Sequence, residues 1–502
     1  MKKQYDIIVI GAGNGGLAAA AYAAKAGKKT LLVERHNIPG GCATSFRRGR
    51  FEFEPSLHEL AGFGTKEQPQ EVERIFQNVE ANVTMLQVPD AFRVIIDGAD
   101  YRLPTGRVDF CNAMEEYVPG CKKSVEDFFG LADECAQAIQ YLGGSAIDLD
   151  EMKEKFPHFM YIANAPLKDV LDALNMPATA QTIMSTYWSY MAMPPSFFDF
   201  TMYAYMLERY VDFGATVPKN RSHELSCALA DSVRRNGGEI WFGTEVSKIL
   251  VENGQAKGVV INGEEIYSEH IICNVHPHIV FGRMMDAPEI PAGELKRANA
   301  RQLGVSGFTV YLGLNKTAEE LGITDYSTFI NGTGDIEQGF LNMNTIDQND
   351  YQITNCLNIS NPGCSPEGTC IVWLTQLCRG SAWAGITPRQ YKKKKNKTAA
   401  RLIRQYEEST GVKISDAIEE ISISTPVTFA RYLGTPDGSI YGYQGLPWDT
   451  MLARTMTFEK ERYIKGLRFC GGFTTRMDGY SSAYATGNNA AKMTLADIEE
   501  GR

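Results

Sequence analysis

The chain has 502 residues, 44% hydrophobic and 22% charged, a globular composition too long for one compact core. Its formal net charge of −10 argues against nucleic acid as the main partner, because no phosphate-neutralising excess is present. The eleven cysteines show neither CxxC nor a paired His/Cys spacing, so no metal site and no disulfide framework is expected, and a reducing compartment is.

From the amino end, "YDIIVIGAGNGGLAAAAYAAKAGKKTLLVERH" is the most informative stretch. Ile7 to Ile10 form an apolar β-branched run of the kind buried on both faces of a parallel sheet. Gly11, Gly13 and Gly16 follow in GxGxxG spacing, interleaved with Asn14 and Gly15. The alanine-rich run from Leu17 to Ala26 predicts a helix that stops at Gly27, and Lys29 to Val33 predicts a second strand ending in Glu34. Gly11 permits the tight turn, Gly13 admits a pyrophosphate to the backbone, and Gly16 lets the helix pack on the strand. The helix N-terminus then offers free N–H groups to phosphate, and Glu34 accepts from ribose hydroxyls while repelling a 2′-phosphate. The pattern predicts a dinucleotide site, for FAD or NAD; no second GxGxxG unit occurs downstream.

The segment after Glu34, "RHNIPGGCATSFRRGRFEFEPSLHEL", places Arg35, the Gly40–Gly41 pair and Ser45 before a phenylalanine-rich strand and His58. In this order it resembles the flavin amine oxidase and phytoene desaturase superfamily. It looks most like the branch holding retinol saturase, carotenoid isomerase and phytoene dehydrogenase-like proteins. Ser56 stands where members often carry glycine. The resemblance implies a Rossmann-type FAD-binding domain, glutathione-reductase-2-like, with an inserted mixed α+β substrate domain. The implied FAD domain is discontinuous, over 1–75, 220–285 and 435–502, and the substrate domain covers 76–219 and 286–434.

Further along, "IMSTYWSYMAMPPSFFDFTMYAYMLERY" crowds methionines and rings around Trp188, Tyr190 and Phe197. It reads either as packed core broken at Pro194–Pro195 or as the pliable wall of a substrate cavity. Where relatives carry a glycine pair this chain has Asn220 and Arg221, and Arg221 makes a carboxylate-bearing substrate plausible if its loop faces the substrate. The resemblance also implies a backbone contact from Val246 to adenine. "KKKKNK", Lys392 to Lys397, reads as a solvated helix start or loop. Near the carboxyl end, "GLRFCGGFTTRMDGYSSAYATGNNAAKM" matches the family's closing strand, glycine turn and helix, with Gly471, Asp478, Gly479 and Tyr480 implied at the flavin.

For catalysis His58 is the first candidate acid–base group, on the reasoning that imidazole titrates near neutrality, and Tyr441 and Tyr443 are further candidates. The activity implied is FAD-dependent desaturation, saturation or cis–trans isomerisation at carbon–carbon bonds of a lipophilic, polyene or carboxylate-headed substrate. The alternatives are a flavin amine oxidase-like enzyme and a non-catalytic escort-type protein binding lipid or prenyl groups on the same fold. Saturation or desaturation implies an external electron donor or acceptor, whose identity the sequence does not give. The N-terminus lacks signal-peptide features and no apolar run spans a bilayer, so a cytosolic location is expected, with peripheral membrane contact open.

Overall fold

The computed structural model describes residues 4–65, 68–142, 148–457, 462–475 and 479–501. The opening apolar run folds as strand Ile7–Ile10, central in a five-stranded parallel sheet. Its neighbours are Thr30–Val33 and then Glu239–Trp241 on one side, and Ile271–Cys273 and then Leu467–Phe469 on the other. Three regions far apart in sequence therefore build one sheet. Helix Asn14–Lys25 packs over it with almost every residue buried, beside the helices Ser222–Arg235 and Tyr480–Glu499.

Glycine sets how close these parts come. A Cβ on Gly16 would lie 1.9 Å from the Gly11 carbonyl oxygen, and one on Gly487 would lie 2.0 Å from the Gly15 carbonyl oxygen. Gly16 is part of the expected motif. Gly487, in the middle of the closing helix, performs the same service from the opposite end of the chain.

A second layer is a seven-stranded sheet in the order Ile418–Ser424, Ser306–Leu314, Cys370–Cys378, Gln352–Cys356, Ser327–Asn331, Asp90–Ile96, Ala99–Pro104. Its pairings are antiparallel except Ser327–Asn331 with Asp90–Ile96. The two nine-residue strands are buried on both faces. Tyr311 and Trp373 point into the core shared with Phe51 and Phe53, while Val310, Leu312, Val372 and Leu374 face the other way. That outer face is covered by helix Pro388–Thr410 through Ala399, Leu402 and Tyr406. The lysine run thus lies on the first turns of a 23-residue helix, with Lys394 paired to Asp347 at 2.6 Å.

The Met- and ring-rich stretch breaks at Pro194–Pro195 as its prolines dictate, into short helices before and the helix Phe200–Asp212 after. Among the described residues no helix is long and apolar enough to cross a membrane.

The glycine contacts make a direct expectation. Gly487→Ala should lower stability by about 1–3 kcal/mol, since the methyl group meets backbone rather than a movable side chain. Gly130→Ala, at an open helical position with nothing within 4 Å of the new Cβ, should instead raise it by about 0.5–1 kcal/mol. Urea unfolding of the two variants beside the parent checks both signs.

Candidate functional site

One cavity of about 1040 Å³ runs from the glycine turn into the space between the two sheets. At one end Gly11, Gly13, Asn14 and Gly15 line it together with Glu34, Arg35, Gly40 and Gly41. These residues meet because parallel strands deliver their carboxyl ends to the same edge, where ligands of open α/β sheets bind. The turn needs Gly11, whose φ is +92°. Two helices aim their first residues here: Asn14–Lys25, and Tyr480–Glu499 with Gly479 and Tyr480 on the wall. Val246, at the start of strand Val246–Glu252, and Gly471 complete this end.

The polar groups here keep hydrogen-bonding capacity to spare. Glu34 accepts from the Ala12 N–H at 2.7 Å and the His36 N–H at 2.8 Å, which occupies only part of a carboxylate's capacity. Asn14 Oδ1 is buried with no hydrogen-bond partner among the described residues, and Asn14 lies on the cavity wall. Asn274, following strand Ile271–Cys273, fills the space left by glycine: a Cβ on Gly13 would come within 2.6 Å of its Nδ2. The glycines, the two helix N-termini and the unsatisfied amide together fit a dinucleotide.

The other end is apolar with a polar floor. Thr309, Ile353, Thr375 and Leu377 of the seven-stranded sheet line it, opposite Tyr190, Tyr210 and Tyr441. His58 enters from the segment that leads away from the glycine pair. Its Nε2 lies 3.2 Å from Thr375 Oγ1, and Thr375 Oγ1 is 3.2 Å from Thr309 Oγ1. Its ring meets Tyr190 edge-on at 6.1 Å and lies 6.5 Å from Trp373. Burial pulls the imidazole down to about 4, so His58 is neutral at physiological pH and does not titrate near neutrality as its side-chain type suggested.

The titratable group is its neighbour. Glu59 is buried, accepts from Tyr190 Oη at 2.8 Å and Ser327 Oγ at 3.0 Å, and shares the cavity wall with Tyr190. Burial pushes its carboxyl up to about 7, outweighing hydrogen bonds from Tyr190, Ser327 and Tyr187 that favour the ionised form. Glu54, five residues earlier, has a structural role. It accepts from the backbone N–H groups of Ser222 at 2.8 Å and Leu57 at 3.0 Å, and from Ser222 Oγ at 2.8 Å.

Several expected residues lie elsewhere. Gly16 packs beneath the turn instead of lining the cavity, and Ser45 Oγ donates to Glu52 at 2.6 Å. Arg221 does not face the cavity. It is buried and donates to the carbonyls of Glu52 at 2.8 Å and Cys364 at 2.5 Å, which fixes its loop. Trp188 packs on Tyr351 and Phe197 on Phe340, with ring centroids 5.3 and 5.4 Å apart, both outside the cavity wall. Tyr443 is buried against His276 at 5.0 Å, also off the wall, and Asp478 lies outside the described residues. Sequence reasoning passed over Glu59, Asn274 and His276. The last two sit in "NVHP", just past the strand Ile271–Cys273, where ligand contacts of this fold concentrate.

Residues 9–78 match the NAD(P)-binding Rossmann-like domain family. The all-trans-retinol 13,14-reductase of Danio rerio is 24% identical over 524 residues, spanning 93% of this chain and 83% of its own. The chloroplastic prolycopene isomerase of Daucus carota is 25% identical, over 89% of this chain and 75% of its own. The chain is a homologue of these reductases and isomerases. Its fold is that of the cyclohexylamine oxidase of Brevibacterium oxydans IH-35A, which superposes with a TM-score of 0.61 at 12% identity, covering 99% of both chains.

Two neighbours on one segment therefore respond to pH in opposite senses. Glu59 ionises near 4.5 when unfolded and near 7 when folded, so its stabilising contribution is complete below pH 4.5 and is lost as pH rises through 7. His58 titrates near 6.5 unfolded and near 4 folded, so its contribution is complete above pH 6.5 and is lost as pH falls toward 4. Relative to the parent, Glu59→Gln should gain stability on going from pH 5 to pH 7.5, by about 2 kcal/mol. Urea midpoints at the two pH values give this difference directly.

Proposed function

We propose that the chain is an FAD-dependent oxidoreductase acting on carbon–carbon bonds of a lipophilic substrate, by saturation, desaturation or isomerisation. The observation that carries this reading is the continuity of the cavity: the dinucleotide end and the apolar chamber beside His58, Glu59 and Tyr190 are one space. The relatives whose names specify retinol reduction and prolycopene isomerisation support the substrate class. We assign the flavin to segments 1–75, 220–285 and 435–502, and the substrate to 76–219 and 286–434.

In this reading Gly11, Gly13, Asn14, Gly15, Gly40 and Gly41 hold the pyrophosphate, and Glu34 the adenosine ribose. Arg35 and Val246 flank the adenosine half. Gly471, Gly479 and Tyr480 border the flavin ring, where the N-terminus of Tyr480–Glu499 favours negative charge. The bound isoalloxazine supplies the two-electron chemistry. The protein's part is to exclude water, place the reacting carbon and handle one proton.

Tyr190 and Glu59 are suited to that proton. With Glu59 ionised, the Tyr190 hydroxyl hydrogen is held by the carboxylate at 2.8 Å. With Glu59 protonated, the carboxyl donates to Tyr190 Oη and frees the phenolic hydrogen for a substrate in the cavity. His58, neutral and bonded to Thr375, orients the substrate against the sheet. Tyr441 borders the same chamber.

The purified protein should show flavin absorbance or acquire it on titration with FAD. Anaerobically reduced protein should be reoxidised, or the oxidised form reduced, by members of a panel of polyenes, retinoids and unsaturated acids. A protein with no flavin bands that takes up no FAD would overturn the reading. Tyr190→Phe should lower kcat by about 10²-fold or more with little change in flavin affinity. Stopped-flow flavin reoxidation beside an FAD titration separates the two.

A further inference from the structure

The charge inventory of the cavity identifies what the far end of the substrate carries, an inference that rests on the apolar chamber being the substrate site. Among the described residues three arginines line the cavity: Arg35, Arg209 and Arg283. Arg35 follows the second strand at the dinucleotide end, where its Nη2 donates to the Tyr432 carbonyl at 2.8 Å. Arg283 belongs to the short turn Val280–Met284, packed beside the strand that begins at Val246. Arg209 alone among them sits on the substrate side.

Helix Phe200–Asp212 contributes Met202, Tyr205, Met206, Arg209 and Tyr210 to the wall, spaced i, i+3, i+4, i+7 and i+8. This is one continuous helix face, of the kind that ordinarily meets a protein core. Here it faces the cavity, opposite Ile139 and Leu142 of the helix it packs on. A helix face that is apolar except for one cation fits an apolar chain ending in an anion.

The guanidinium of Arg209 is prepared for such a ligand. Its side chain is only 19% exposed, yet it donates no hydrogen bond to any described residue. It lies over the Tyr205 ring at 4.2 Å and faces the Phe213 ring at 5.6 Å. Its nearest carboxylate oxygen, on Glu208, is 3.8 Å away, and burial raises the Glu208 carboxyl toward its neutral form. The other nearby acids are engaged with a different cation: Asp212 and Asp133 both bind Arg107, at 2.5 and 2.6 Å. A largely buried guanidinium with five unused donors is costly unless a ligand supplies acceptors. With Arg107 committed to Asp133 and Asp212, Arg209 offers the chamber a single free positive charge among the described residues, which matches a singly charged carboxylate better than a phosphate dianion.

We propose that Arg209 is the anchor for the carboxylate of an unsaturated acid, whose hydrocarbon chain lies along Met202, Tyr205 and Met206 toward Tyr190. The test is equilibrium binding, by fluorescence, of a conjugated tetraene fatty acid and its methyl ester to the flavin-loaded protein. The parent should bind the acid at least 10-fold more tightly than the ester. Arg209→Leu should weaken the acid at least 10-fold and the ester less than two-fold. Arg209→Lys should retain most of the preference, and Arg209→Gln, which keeps the polar stem over Tyr205, should lose it. Equal affinity of the parent for acid and ester would overturn the proposal. So would loss of both probes together in Arg209→Gln with an unchanged circular dichroism spectrum. Because no turnover is read, a chamber that prefers acids in a protein without flavin would sustain the anchor while removing the redox reading.

Discussion

Everything at the dinucleotide end depends on three backbone segments approaching more closely than any side chain allows. The turn after the first strand, the start of the first helix and the middle of the closing helix touch through Gly11, Gly16, Gly15 and Gly487. Methyl groups there would overlap carbonyl oxygens at about 2 Å, inside any tolerable contact. Only with the helices this close do two helix N-termini open on the same space, and only then does Asn274 reach across the gap left by Gly13. Sterics come first, and the electrostatic preparation for phosphate follows from them.

The chamber beyond obeys a different logic. Its floor is a sheet whose inner face alternates hydroxyl and aliphatic groups, Thr375 and Leu377 on one strand and Thr309 on the next. Its roof is tyrosine. Low polarity keeps His58 neutral and Glu59 protonated through most of the acidic range. The same burial thus gives two adjacent side chains opposite effects, because one loses a positive charge and the other a negative one.

The dinucleotide end was legible because its requirements are local. A tight turn, a close approach and a ribose acceptor each leave few residue types to choose from, and spacing along a single strand–turn–helix displays them. The chamber was only partly legible, since facing depends on packing between distant segments. Arg221 looked available but is held by the carbonyls of Glu52 and Cys364, one from a strand 169 positions away in sequence. Trp188 and Tyr190 stand two residues apart on one short helix, and only the second reaches the cavity. Glu59 carried no signal of its own in the sequence, because its role comes from distant partners: adjacent in the chain, His58 bonds to Thr375 and Glu59 to Tyr190 and Ser327.

The parallel sheet has a bearing on biosynthesis. Its central strand is made before the other four, yet one edge of it waits for a partner near residue 271, and that partner waits for another near residue 467. The closing helix, which walls the nucleotide end, emerges later still. The nucleotide end is therefore assembled only after residue 480 has been made, and the growing chain carries an unfinished apolar sheet edge until then.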